Sequence, residues 1–208
     1  GVGPGSSRLD YAAVGLDFEE RWKRLDDAVM ALRALWSGSE HGGHYYSTEG
    51  FDLAPRPARE GGPPIWIGSW GSEAGLRRTA RLADGWLASA YNTTPSHFQE
   101  SWQRLREMLP SAGKEPEGYP NALATMWTFV TESREEQQRF LSDVLGRMLN
   151  RDPLDLAQRI AVGPAEECAE RLREYRDAGV QQVLIWPVGD PVRQLERFKK
   201  DVEPLVSK

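Results

Sequence analysis

The chain has 208 residues, enough for one domain with a substantial core. A hydrophobic share of 39%, a charged share of 27% and a net charge of −5 without a basic cluster argue against nucleic acid or an anionic membrane as a partner. No run approaches the ~20 apolar residues of a membrane-spanning helix, and a single cysteine, Cys168, rules out a disulfide framework and fits a reducing cytoplasm.

Gly1-Val2-Gly3 reads as the tail of a strand, and Gly3-Pro4-Gly5-Ser6-Ser7 as a loop. Asp17 opens a long helix to about Trp36, with Asp17 and Glu20 as an acidic capping box. Phe18, Trp22, Leu25, Val29, Leu32 and Trp36 form its apolar stripe. Residues 39–62 are loop-like, carry His41, His44, Tyr45 and Tyr46, and leave room for a short hairpin around Tyr45 and Phe51.

The later elements are arranged around the stretch Gly61–Ser72. Gly61-Gly62-Pro63-Pro64 is a stiff, polar lead-in that cannot be helix. Ile65-Trp66-Ile67 is a short apolar run of the kind a buried parallel strand shows. Gly68-Ser69-Trp70-Gly71-Ser72 turns the chain into a helix over Glu73–Ala83. Such a turn gathers backbone N–H groups and hydroxyls at the positive end of a helix dipole, which suits a phosphate. A tight βα turn that binds nothing fits the same residues, because neither a Walker A loop nor a dinucleotide fingerprint is present.

Three further strands come next, at Asp84–Ser89, Ala122–Val130 and Gln181–Pro187. Thr94-Pro95 opens a helix with Phe98, Trp102, Leu105 and Leu109 inward, and Lys114–Pro120 is a linker. Ser133 and Glu136 form a capping box for a helix marked by Phe140, Leu141, Val144, Leu145 and Met148. Gly163-Pro164 opens another, with Cys168, Leu172 and Tyr175 inward and Gly179 as its stop. Asp190-Pro191 starts the last, with Leu195, Phe198, Val202 and Leu205 on one face. Four strand–helix units with one extra helix imply a parallel sheet. They are the second half of a (β/α)8 barrel or, alternatively, an open doubly wound sheet.

Taken in order, these residues resemble the luciferase-like monooxygenases, the bacterial-luciferase-type flavin- or deazaflavin-dependent oxidoreductases. The resemblance is carried by Gly1–Gly5, Phe18-Glu19-Glu20-Arg21, Arg24-Leu25-Asp26, Pro63–Gly68 and Ala80–Leu87. It continues through Gly163–Leu172, Ala178-Gly179-Val180 and Gln194–Phe198. It implies a TIM-type barrel of which residues 1–208 are a single C-terminal domain, and about 100 further residues upstream are expected on barrel size. It implies FMN or an 8-hydroxy-5-deazaflavin coenzyme at the C-terminal ends of the strands, a small organic substrate and a homodimer. The positions it assigns to the cofactor are Gly3, Gly5, Ser6, Gly68, Ser69, Trp70, Gly71 and Ser72. Two departures stand out: Ser69 occupies the second position of the family's Ile-Gly-Gly run, and Ser6 replaces an aromatic.

Trp66, Trp86, Trp127 and Trp186 fall one to each strand and serve either as core or as a pocket for a planar ring. Trp127 and Trp186, with His44 at the mouth, are the expected substrate pocket. His41, His44 and His97 lack carboxylates at ligand spacing and read as surface histidines, not a metal set. Ser69 and Ser72 lack a nucleophile elbow, Asp84 reads as a turn former and Cys168 as core. The strands carry no lysine, histidine or carboxylate at their ends, which suits chemistry carried by a cofactor. A non-catalytic flavin- or phosphate-binding protein and a barrel lyase or isomerase acting on a phosphorylated substrate are the alternatives.

Overall fold

The Ser7 hydroxyl accepts from the Asp10 amide at 3.1 Å and caps α1 (Arg8–Ala13), a helix that no apolar periodicity announces because it buries no residue. Asp17 then accepts from the Glu19 amide at 2.9 Å and starts a 3-10 turn, Phe18–Glu20. The expected capping box with Glu20 does not form: Glu20 pairs with Arg24 at 2.8 Å instead. The chain runs on as α2 (Arg21–Ser37), stopped by Gly38 at φ +71°. Leu25 and Val29 bury themselves against Ile65 and Ile67, flanked by Trp22, Leu32 and Trp36.

A computed structural model describes residues 1–206 of the chain. Beyond α2 come β1 (Trp66–Gly68), α3 (Glu73–Leu82), β2 (Gly85–Ser89), α4 (Pro95–Met108) and β3 (Asn121–Val130). Next are α5 (Arg134–Arg139), a π-helical stretch over Phe140–Gly146, α6 (Arg147–Leu149), α7 (Pro153–Ala157) and the short β4 (Ala161–Gly163). The chain closes with α8 (Ala165–Asp177), β5 (Val183–Pro187), α9 (Pro191–Arg197), a second π-helical stretch over Phe198–Val202, and α10 (Glu203–Val206). Caps expected from the sequence form at Thr94 and Asp190, which accept from the amides of His97 and Arg193. The Ser133–Glu136 box closes by half: Ser133 accepts from the Glu136 amide, but the Ser133 amide donates to Thr131 Oγ1 and the Glu136 carboxylate accepts from Thr131.

Every strand pair is parallel. Val2 forms a parallel bridge to Ile67, so the sheet runs from the Val2 segment through β1, β2 and β3. Leu123 of β3 faces both Ala88 of β2 and Val183 of β5, which puts β2 and β5 on opposite edges of β3. Thr128 faces both Ala161 of β4 and Pro187 of β5, so β4 takes the β2 edge once β2 has ended. Apart from the short β4, the strands thus neighbour one another in chain order, β1-β2-β3-β5, without reversal. A doubly wound sheet would reverse its order and carry helices on both faces. Here Ile67, Trp86, Ala88, Leu123 and Met126 all pack under the helices. By alternation, Trp66, Leu87, Ser89, Trp127 and Trp186 point to the opposite face. This is an arc of a (β/α)8 barrel, helices outside.

The 39–62 region differs from its expectation. The antiparallel bridge joins Gly42 to Ser47, with Tyr45 at its tip, while Phe51 lies outside it and is exposed. Nor is His41 a surface residue. Its Nε2 meets buried Asp27 Oδ1 at 2.6 Å, and Asp27 Oδ2 accepts from the amides of Tyr45 at 2.6 Å and Tyr46 at 3.0 Å. One carboxylate on α2 therefore fixes the whole bridge. Burial alone would raise the Asp27 pKa, but His41 and the two amides outweigh it and hold the carboxyl below its ordinary 3.8. A depressed carboxylate stabilises above its unfolded pKa, and that contribution fades as pH falls through the lower folded value. Hydrogen exchange at the Tyr45 and Tyr46 amides is therefore expected to be slow at neutral pH and to lose protection below 3.8. Asp27→Ala should accelerate it about ten-fold or more at pH 7, and an unchanged rate would refute the clip.

Candidate functional site

The strands' C-terminal ends bring together the turn Gly68–Ser72, Ser89, Thr125 to Trp127, and Trp186. The turn is built from fixed points. Gly68 N donates to Val2 O at 2.8 Å and Ser69 N to Leu87 O at 3.1 Å. Trp86 Nε1, from beneath, donates to Ser69 O at 3.1 Å. Ser69 is buried, and its Oγ accepts from Gly71 N at 3.4 Å. Ser72 caps α3 by accepting from Gly75 N at 3.3 Å. Each hydroxyl accepts there and keeps its own proton to donate. Gly71 holds φ +87°, a region closed to most side chains, and is itself buried. The first-turn amides of α3 have no intrahelical partner by helix geometry. Trp70 stands out from the turn, about half exposed.

Gly3, Gly5 and Ser6 leave the sheet beside this turn, since Val2 O is the acceptor for Gly68 N. Gly5 is left-handed at φ +76° and lies against the Tyr11 ring, whose hydroxyl donates to Pro4 O at 2.6 Å. Gly3 and Ser6 are exposed.

Of the four strand tryptophans, Trp86 is core, sandwiched with Phe98 and Trp102. Trp127 and Trp186 are register partners in β3 and β5 and meet edge to face, centroids 5.0 Å apart at 81°. Trp127 Nε1 is buried and has no hydrogen-bond partner, so an indole donor is left over. Trp186 is 41% exposed on the face opposite the helices. His44 is not brought to this pair. It stands edge-on to Tyr45 in the loop that Asp27 ties to α2, in the outer layer.

Other residues join the site that sequence reasoning passed over. Ser89 Oγ lies 2.8 Å from Thr125 Oγ1, Asn92 Nδ2 donates to Ser89 Oγ at 3.0 Å, and Arg151 donates to Asn92 Oδ1 at 2.7 Å. Thr125 has φ +56°, a strained conformation for a β-branched residue, at the point where the β3–β5 register shifts. The position of Ser89, last residue of a parallel strand, was the available signal. Asp84, expected as a turn former, accepts from Ile65 N at 2.7 Å and pairs with Arg33 at 3.0 Å. Cys168 is core, its thiol pushed up to about 12 by burial.

No helix among the described residues is long and apolar enough to cross a membrane. Among curated proteins, the F420-dependent glucose-6-phosphate dehydrogenase of Mycolicibacterium gilvum is 26% identical over 235 residues, covering 100% of this chain and 69% of that protein. Among solved structures, an F420-dependent secondary alcohol dehydrogenase in complex with an F420–acetone adduct superposes with a TM-score of 0.79 at 18% identity, covering 99% of this chain and 68% of that one. A monooxygenase from Streptomyces bottropensis gives a TM-score of 0.76 at 17% identity, covering 97% and 67%. Such distant structural likenesses speak for the fold alone. The sequence pattern of the luciferase-like monooxygenases matches residues 1–182, and the chain belongs to that family.

Proposed function

We propose that the protein is an oxidoreductase that works with a reduced deazaflavin or flavin on a small organic substrate at the C-terminal ends of its strands. The observation that carries this reading is the Ser69–Ser72 turn, pinned at both ends of the Ser69 peptide and opening onto the start of α3. A phosphate fits it: the unpaired first-turn amides form a positive helix end, and Gly71 takes the left-handed turn that leads into them while its bare Cα lets the turn pack against α4. Ser69, Trp70, Gly71 and Ser72 hold the phosphate in this reading, with Gly68 below and Gly3, Gly5 and Ser6 alongside. The F420 dependence of the curated relatives supports a deazaflavin. When bound, a deazaflavin supplies hydride exchange and reduced FMN supplies oxygen activation.

The chain's own residues bind and orient. Trp127 and Trp186 give the substrate an apolar wall. Ser89 and Thr125 offer hydroxyls on the same face. Titration with F420, FMN and riboflavin, followed by tryptophan fluorescence, tests the reading. F420 or FMN should bind more tightly than riboflavin by about ten-fold or more, and Trp186→Ala should weaken substrate use while leaving thermal stability near wild type. Failure of all three to bind would refute the reading. We also infer a cytoplasmic homodimer; light scattering that shows only monomer at micromolar concentration would count against the dimer.

A further inference from the structure

Gly71 is packed against one face of α4. A Cβ built on it would lie 2.4 Å from Ser101 Oγ and 3.0 Å from His97 Cε1. Arg104 reaches the same residue, its guanidinium 3.5 Å from Gly71 O. His97, Ser101 and Arg104 are four and three residues apart, so they share one side of the helix.

The hydrogen bonding of this face is incomplete. Ser101 is fully buried, yet its Oγ has no partner. A buried hydroxyl left unpaired is costly, and native structures seldom keep one without a reason. His97 spends Nδ1 on Thr93 Oγ1 at 2.9 Å, and among the described residues Nε2 makes no bond. Arg104 makes only its one long bond and no ion pair among the described residues. Glu73, in the first turn of α3, is held below the usual carboxylate range by Arg77 first and by Arg104 after it, so the Arg104 field reaches the start of α3. An unpaired buried hydroxyl, an open imidazole nitrogen and a guanidinium with one long bond are poor glue between a helix and a turn. They are good donors for an anion.

We propose that this face of α4 is the second wall of the phosphate site. Arg104 and His97 Nε2 donate to oxygens of the anion from the side opposite the amides of the Ser69–Ser72 turn, and Ser101, sealed beneath Gly71, backs the turn from below. The proposal rests on reading that turn as the cofactor's phosphate site. It adds the ligand class: an anion with oxygens on two sides, such as the terminal phosphate of FMN or the phosphodiester of a deazaflavin coenzyme. A neutral ribityl chain does not meet that requirement.

Fluorescence titrations of wild type, Arg104→Gln, His97→Gln and Ser101→Ala with FMN and riboflavin test it, with F420 and its phosphate-free chromophore as a second pair. Arg104→Gln should raise the dissociation constant for the phosphorylated ligands about ten-fold or more, His97→Gln about three- to ten-fold, and Ser101→Ala, which removes only the backing of Gly71, by less than His97→Gln. The phosphate-free ligands should stay within about two-fold, and the salt dependence of FMN binding should flatten in Arg104→Gln. If wild type prefers FMN to riboflavin and all three variants keep that preference in full, the wall is wrong and the turn stands. If wild type binds both alike, the turn itself does not hold phosphate and this inference falls with it. Should circular dichroism show Arg104→Gln misfolded, Arg104→Lys is read by the same criteria, with a smaller loss expected because one point charge replaces a fork.

Discussion

Gly71→Val is expected to raise the dissociation constant for a phosphorylated flavin or deazaflavin by about ten- to a thousand-fold, through the loss of one or two charge-assisted hydrogen bonds. A glycine in a surface-facing turn would be expected from sequence to tolerate the change. The structure qualifies that. The residue holds φ +87°, and a Cβ there would press on Ser101 Oγ at 2.4 Å. A β-branched side chain is strained in that region and also has to push α4 aside, which costs about 1–3 kcal/mol for each effect. Gly71→Ala is the companion variant, carrying the strain with less bulk. Both should lose affinity for FMN while riboflavin binding changes little. If Gly71→Val binds the phosphorylated cofactor as well as wild type does, the phosphate lies elsewhere.

The largest stability effect is expected at Trp86. It is 1% exposed, stacked on Phe98 at 4.8 Å and near-parallel to Trp102 at 6.2 Å. Truncating a buried aromatic to alanine costs about 3–5 kcal/mol. At a urea slope of about 2 kcal/mol per M, that lowers the unfolding midpoint by about 1.5–2.5 M. Trp86→Ala also strips the Ser69 carbonyl of its indole donor, so the turn should loosen in whatever fraction stays folded. Trp86→Phe keeps most of the stack and loses the hydrogen bond, and its smaller deficit separates the two contributions. A midpoint unchanged in Trp86→Ala would mean that the stacked cluster is not the centre of the core.

Trp86 also marks where sequence reading stops. Four apolar runs, each bounded by Gly, Pro or Asp, make the strands legible, and apolar stripes with Thr94, Ser133 and Asp190 caps make the helices legible. Which face a strand tryptophan takes is not legible. Trp86 faces helices and Trp127 faces away because of register, and register is a property of the assembled sheet. Elements with little burial or few residues also escape. α1 has no stripe to show, and β4 is three residues inside a stretch that reads as a helix start. The Phe140–Gly146 helix is readable from its stripe, but its π winding is not. That winding brings Gly146 close to Leu141 O, where a side chain would meet the carbonyl at 2.8 Å. In the site, the glycines and serines of the turn are readable because their chemistry is local. His97, Ser101 and Arg104 are not, since a polar helix face reads as solvent-facing until another element is known to cover it. His41 hides for the same reason, its partner Asp27 lying 14 residues earlier on α2.

The shared edge of β3 has a consequence for how this protein can change. Thr131 N donates to Gly163 O at 2.9 Å, so the chain departs after β3 and comes back, 32 residues later, to a neighbouring point on the same strand. The excursion between those residues is a closed side-trip whose two ends are already stitched together by the sheet. Loop-closure entropy grows slowly with length, by about 0.6 kcal/mol per doubling. Its length is therefore the cheap variable, while its composition is not, because Leu141, Leu145, Leu156 and Ile160 bury themselves in the main core. Arg151, which reaches Asn92 at the strand ends, is carried on that side-trip. The side-trip thus has a fixed apolar underside and free polar tips, and only the tips can lengthen or shorten without re-solving how the sheet folds.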